Sequence, residues 1–162
     1  MNGDETFPCW MVRRTADGAR GGVETIQLSD LPPGDVLIRV AYSSLNYKDA
    51  LACRGHPGVV KQLPHVPGID CAGEVVANDL PDVRAGEKVL VTGYDLGAAR
   101  WGGFSQYVRV PAEWVVPLPD GLTPRQAMAY GTAGFTAAQC VPAPARHGVT
   151  PGDGGVVVTG AT

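Results

Sequence analysis

The side chains able to do chemistry gather in a few short stretches of the chain. The first is Ser43-Ser44-Leu45-Asn46-Tyr47-Lys48-Asp49. A phenol such as Tyr47 can donate a hydrogen bond or act as a general acid, or it can simply pack its ring at a domain edge. Asn46 has the type and place of a helix N-cap over Tyr47–Cys53, with Asp49 in the first turn where the helix dipole favours a carboxylate. A direct polar contact in a site is the alternative for Asn46. Lys48 and Asp49 read as a solvated or salt-bridging pair. Asp70, just after the Pro67-Gly68 turn, reads as a structural carboxylate. Trp101-Gly102-Gly103 reads as a turn whose glycines permit positive φ, with Trp101 able to wall a pocket.

Metal and thiol chemistry find little support in the spacing. Cys9, Cys53, Cys71 and Cys140 form no C-x-x-C pair, and His56, His65 and His147 have neither helical i, i+4 spacing nor a nearby Cys. No metal site is expected. The N-terminus MNGDETFPCW lacks the positive and apolar regions of a signal peptide, and no apolar stretch approaches a membrane span. The expectation is a cytoplasmic protein with four reduced, mostly buried thiols.

These groups need a scaffold, and the pattern around them is mostly β. Strand-like runs at Pro8–Arg13, Gly22–Leu28, Val36–Tyr42, Cys71–Ala77, Lys88–Thr92, Phe104–Val110 and Trp114–Leu118 alternate with turn residues such as Asp17-Gly18. Frequent short strands predict a barrel-like or sandwich-like domain. Thr123-Pro124-Arg125-Gln126 has the form of a capping box with Pro at the first helical position. The helix it opens should be broken at Gly131, where Thr132 could cap a restart, and a second helix should cover Phe135–Val141. Residues 141–151, rich in Pro and Ala, read as a connector.

Beyond that connector, Gly155–Gly160 is a β-branched run ending in glycine, the pattern of a strand buried on both faces of a parallel sheet. Such a strand needs parallel neighbours, so residues 151–162 are expected to begin a second domain after a first domain over 1–150. An edge strand paired with the first domain is the alternative.

Composition agrees with one turn-rich globular domain. The chain has 162 residues, 44% of them hydrophobic, with Gly 22 and Pro 14 spread along its length. Thirteen Lys+Arg against sixteen Asp+Glu leave a net charge of −3 and no basic run. That excludes a nucleic-acid or anionic-membrane binder relying on clustered sequence charge.

Five ordered blocks carry a resemblance: Ser43–Ala50, Val66–Gly73, Trp101–Gly103, Gly131–Ala137 and Val157–Thr162. Together they resemble the medium-chain dehydrogenase/reductase superfamily, in its zinc-independent acrylyl-CoA reductase branch, often labelled quinone oxidoreductase. The resemblance implies a mostly β, GroES-like, barrel-type catalytic domain followed by the first strand of a truncated Rossmann domain. Family members are roughly twice this length. Zinc-dependent relatives place a Cys at the position of Asn46 and a His at that of Ile69, and carry a four-cysteine loop absent here. An amide and an isoleucine cannot replace thiolate and imidazole ligands.

The resemblance also implies an activity: NADPH-dependent reduction of the C=C bond of acrylyl-CoA or a similar enone. It puts Tyr47 in the cleft at the nicotinamide, as catalytic and cofactor-binding residue. Asn46 and Thr132 are implied as further cofactor contacts, and Gly160, Ala161 and Thr162 as the start of the pyrophosphate-binding turn. The chain by itself is expected to be inactive, and a homodimer is allowed for the longer protein. Two other readings stand beside this one: a quinone or general alkene reductase, and a non-catalytic GroES-like binding module.

Overall fold

The computed structural model describes residues 4–78 and 84–159. Its first unit is a hairpin of β1 (Thr6–Thr15) and β2 (Gly18–Gln27), closed by a two-residue turn at Ala16-Asp17. Alternation along β1 buries Phe7, Cys9 and Met11 on one face and leaves Thr6, Pro8 and Trp10 exposed, while Val12 is buried as well. The second unit is an antiparallel sheet in the order β6 (Tyr107–Val110), β3 (Val36–Ser43), β4 (Asp70–Asn78), β5 (Lys88–Thr92), β7 (Val116–Pro117).

β3 shows how the layers meet. Val36 and Ile38 enter one apolar cluster with Val75, Val89, Val91 and Val108. Leu37, between them, points the other way into a second cluster with Phe7, Met11, Ile26 and Tyr107. Burying each such side chain stabilises the fold by about 1.5–3 kcal/mol. The hairpin is tied down by paired bonds between Val12 and His65 (2.7 and 2.9 Å) and by Trp10 N–H to the Phe104 carbonyl (2.8 Å).

The expected strands are present, with three main differences: β2 begins at Gly18, four residues earlier than expected, and the other two lie at β6 and Trp114. β6 begins at Tyr107, three residues later than expected, and Trp114 ends a short 3-10 turn instead of opening a strand. Ala112 N–H donates to the Asp35 carboxylate (3.0 Å), which holds that turn against the start of β3.

Helix α1 (Tyr47–Cys53) follows Asn46 as expected. Helix α2 (Pro124–Cys140) starts at the expected capping box, in which Gln126 N–H donates to the Thr123 hydroxyl (3.3 Å). It breaks at Gly131, whose φ of 49° and ψ of −154° are non-helical. The first half packs Ala127 and Met128 against Ala72, while the second half is largely exposed. The connector contains a further short helix, α3 (Pro142–Arg146), since Pro at a first helical turn fits helix geometry.

The β-branched run forms no strand. Residues 154–159 carry no ladder, and Val156, Val157 and Val158 are exposed. A strand of this type is stable only between parallel neighbours, which the sheet here does not offer. Gly160, Ala161 and Thr162 lie outside the described residues. No described helix is long and apolar enough to cross a membrane.

All four cysteines are free. Cys9 and Cys71 are buried, Cys53 is half-buried and Cys140 is exposed on the outer half of α2, so the expected burial holds for only part of the set.

Candidate functional site

The site is built around two carboxylates that the fold removes from water. Asp70 opens β4, and Asp49 lies in the first turn of α1; both are fully buried. Asp70 accepts from Asn46 Nδ2 (2.9 Å), Thr132 N–H (2.9 Å), the Thr132 hydroxyl (2.5 Å) and the Ser44 hydroxyl. Asp49 accepts from Ile69 N–H (2.9 Å) through one oxygen and from Asn46 N–H (2.8 Å) through the other. The Asn46 amide also reaches that second oxygen (3.2 Å) and so links the two carboxylates. Hydrogen bonds to an ionised group are the strong kind, and several are needed to offset the loss of hydration.

This geometry corrects the reading of Lys48 and Asp49 as a surface pair. Asp49 faces inward because N-x-x-D, with Asn at the cap, folds the carboxylate back onto the cap's own N–H. The same spacing is the signal that could have revealed it. Ser44 had no sequence signal beyond its nearness to the cap. Asp70 is structural, as expected, since it joins β4, the segment before α1 and the break in α2.

The glycines around the site are set by close approach. A Cβ on Gly131 would lie 2.7 Å from Asp70 Oδ2, so only glycine lets α2 break here and aim Thr132 N–H at Asp70. Gly102 and Gly103 were expected to supply positive φ, and they do not. They are small because their loop lies flat on residues 66–68. A Cβ on Gly102 would meet the Gly68 carbonyl oxygen at 2.3 Å, and one on Gly103 would meet the Asp70 carbonyl oxygen at 2.7 Å. Trp101 beside them is half-buried, its indole N–H donating to the Pro64 carbonyl (3.0 Å).

Tyr47 differs from its neighbours. Its side chain is 82% exposed, and its hydroxyl has no hydrogen-bond partner among the described residues. The site therefore offers one unengaged phenol beside a base of buried carboxylates held by several hydrogen bonds. Thr132 is drawn into that base by both its N–H and its hydroxyl, and Asn46 by its amide. Next to Ser44, a shallow cleft of ≈ 380 Å³ lies between residues 42–45 and the first turns of α2, with Arg125 and Met128 on its far wall.

The thiols near the site are poor nucleophiles at neutral pH. Burial, and then the adjacent Asp70 charge, push the Cys71 thiol up to about 12. Burial and then Asp49 raise Cys53 as well. Among the described residues, no three His, Cys, Asp or Glu side chains come together in a group that could hold a metal ion.

Comparison with known proteins matches this architecture. Residues 32–120 match the alcohol dehydrogenase GroES-like domain. The chain is 51% identical over 142 residues to an acrylyl-CoA reductase of Ruegeria pomeroyi, covering 88% of this chain and 43% of that protein. It is 46% identical over 156 residues to YhfP of Bacillus subtilis, named as a quinone oxidoreductase, covering 96% of this chain and 47% of the relative. Among solved structures, the YhdH oxidoreductase of Salmonella enterica in complex with NADP superposes with a TM-score of 0.87 at 44% identity, over 91% of this chain and 45% of that one. The Bacillus subtilis YhfP structure with NAD bound gives 0.88 at 44% identity, over 93% and 46%. The chain spans about half the length of the curated relatives it matches. It belongs to the family of alcohol dehydrogenase GroES-like domains, in the medium-chain dehydrogenase/reductase branch that holds the acrylyl-CoA reductases and quinone oxidoreductases.

Proposed function

We propose that this chain is the GroES-like catalytic part of an NADPH-dependent oxidoreductase that reduces the C=C bond of acrylyl-CoA or a similar α,β-unsaturated thioester. The observation that carries the reading is its 51% identity, over 88% of the chain, to an acrylyl-CoA reductase. A reading as a quinone reductase is favoured by the 46% identity to YhfP over 96% of the chain. On either reading residues 1–150 are the catalytic domain and 151–162 lead into a cofactor domain.

The described residues fit a nicotinamide at one point. Tyr47 presents a partnerless phenol at the rim of the site, whereas the donors of Asn46 and Thr132 are already engaged by Asp70. Tyr47 is thus the residue that would touch cofactor or substrate. Asn46 and Thr132 act as positioning residues that hold α1 and α2 in place. When bound, NADPH would supply the hydride for the β-carbon of the thioester. The Tyr47 hydroxyl would hydrogen-bond the thioester oxygen on which negative charge develops, and the α-carbon would take its proton from solvent water. Asp49 and Asp70 keep the helix that carries Tyr47 fixed while charge develops, so no reorganisation is needed at that moment.

The test joins this chain to the cofactor-binding half of the Ruegeria pomeroyi relative and follows NADPH consumption. Acrylyl-CoA should be reduced faster than small quinones, and the isolated chain should turn over neither. Tyr47→Phe should lower kcat by about 10²-fold, the lower end for an acid–base group, and leave the denaturation midpoint in place. Faster quinone reduction would move the conclusion to the second reading. An unchanged rate in Tyr47→Phe would remove the phenol from the chemistry.

A further inference from the structure

A second cleft lies at the opposite end of α1 from Tyr47. It has a volume of ≈ 320 Å³ and is lined by Arg14 from the end of β1, Arg54 from just after α1, and Lys61 and Gln62 from the following loop. Its floor exists because Gly55, at a φ of +65°, lies directly on Ala19; a Cβ on Gly55 would sit 2.4 Å from the Ala19 Cβ. The walls are held together by the Val12–His65 backbone pair, so the loop carrying Lys61 cannot drift from the hairpin carrying Arg14.

The charge in this cleft is uncompensated. Elsewhere Arg13 pairs with Glu24 at 2.7 Å and Arg39 with Glu74 at 2.9 Å. Arg14, Arg54 and Lys61 have no ion pair among the described residues, and no carboxylate lines the cleft. Three like charges around one concavity repel each other unless an anion joins them. In a chain of net charge −3 such a cluster is not a by-product of overall basicity.

We propose that this cleft seats the phosphates of the adenosine 3′,5′-bisphosphate end of a CoA thioester. The inference rests on the thioester reading above and adds where the carrier is held. Guanidinium forks and an ammonium on a concave surface suit phosphate oxygens. The spacing also fits. The seven residues of α1 span about 10 Å at 1.5 Å per residue, and they separate Tyr47 from Arg54. The pantetheine arm joins the thioester to the pyrophosphate through about a dozen bonds and is longer than that when extended. With the reacting carbon at Tyr47, the arm can run along α1 and deliver its phosphates to the cleft.

The test titrates the 162-residue chain with adenosine 3′,5′-bisphosphate by calorimetry. Saturable binding is expected, weakened about tenfold or more in Arg54→Ala/Lys61→Ala through loss of charge-assisted bonds. Arg39→Ala, on a distant strand, should bind like the parent. Absence of binding would overturn the proposal, as would equally tight binding of NADPH or inorganic pyrophosphate in competition for the same residues. The joined protein separates the two readings. Reduction of the short N-acetylcysteamine thioester of acrylate as efficiently as acrylyl-CoA would sink the cleft and leave the reductase. Failure to reduce either thioester would sink the reductase itself.

Discussion

Asp70 is the residue on which the site turns. It receives four hydrogen bonds from two segments far apart in sequence, residues 44–46 and Thr132, and it is fully buried. In Asp70→Asn one side-chain oxygen becomes an amide donor facing donors, so bonds are lost and buried groups go unpaired. Bonds to charged groups contribute about 1.5–3 kcal/mol each, and the expected loss of stability is about 3 kcal/mol or more. Urea denaturation of the 162-residue chain measures it; a shift worth less than about 1 kcal/mol would mean that Asp70 does not hold the site together. Tyr47 sits at the other extreme, since it contacts little and is free to meet a ligand. The sequence alone singled out Tyr47, but it could not separate Asn46 and Thr132 as contacts from Asn46 and Thr132 as supports. That distinction depends on which acceptor lies within 3 Å, and the acceptor is 24 and 62 positions away.

At the scale of elements, local signals were legible and lateral ones were not. The Thr123–Gln126 capping box and the break at Gly131 are read from neighbouring residues, and both are present. The glycines at 102 and 103 were recognised, yet for the wrong reason, because the backbone that crowds them belongs to residues 66–70. The loop and hairpin are joined through His65, which is buried and whose Nε2 bonds the Gly97 carbonyl at 2.9 Å. A carbonyl only accepts, so Nε2 carries a proton in this bond. Burial lowers the His65 pKa below its usual 6.5, with the Gly97 bond opposing. The unfolded chain then takes up this proton at a higher pH than the folded one. Stability should be intact above pH 6.5 and fall as pH drops through the lowered folded value. Denaturation midpoints at neutral pH and at mildly acidic pH, compared between the parent and His65→Gln, test this; an equal acid loss in both would assign it to other groups.

The whole molecule divides into a packed body and an exposed C-terminal stretch. The apolar clusters draw on residues 7–128, whereas Val141, Val156, Val157 and Val158 are exposed. A chain ending at Val149 should therefore unfold at the same urea concentration as the 162-residue chain, within about 0.5 kcal/mol. It should also be more soluble, since an unpartnered β-branched run is removed. A clear loss of stability would show that residues 150–162 pack on the body after all.

The sequence by itself determined whatever depends on adjacent residues or on strict period: strand positions, helix starts, turn glycines and the family blocks. It determined the β-rich class because alternation and turn chemistry are local properties. Tertiary structure alone decided which polar groups meet. The basic cleft shows this most plainly. No basic run exists in the chain, yet Arg14, Arg54 and Lys61 line one concavity because a hairpin and a loop are clamped together at Val12 and His65. The burial of Asp70 shows it too. Burial comes from chain segments folding over one another, and no spacing rule within 162 residues records which segments will do so.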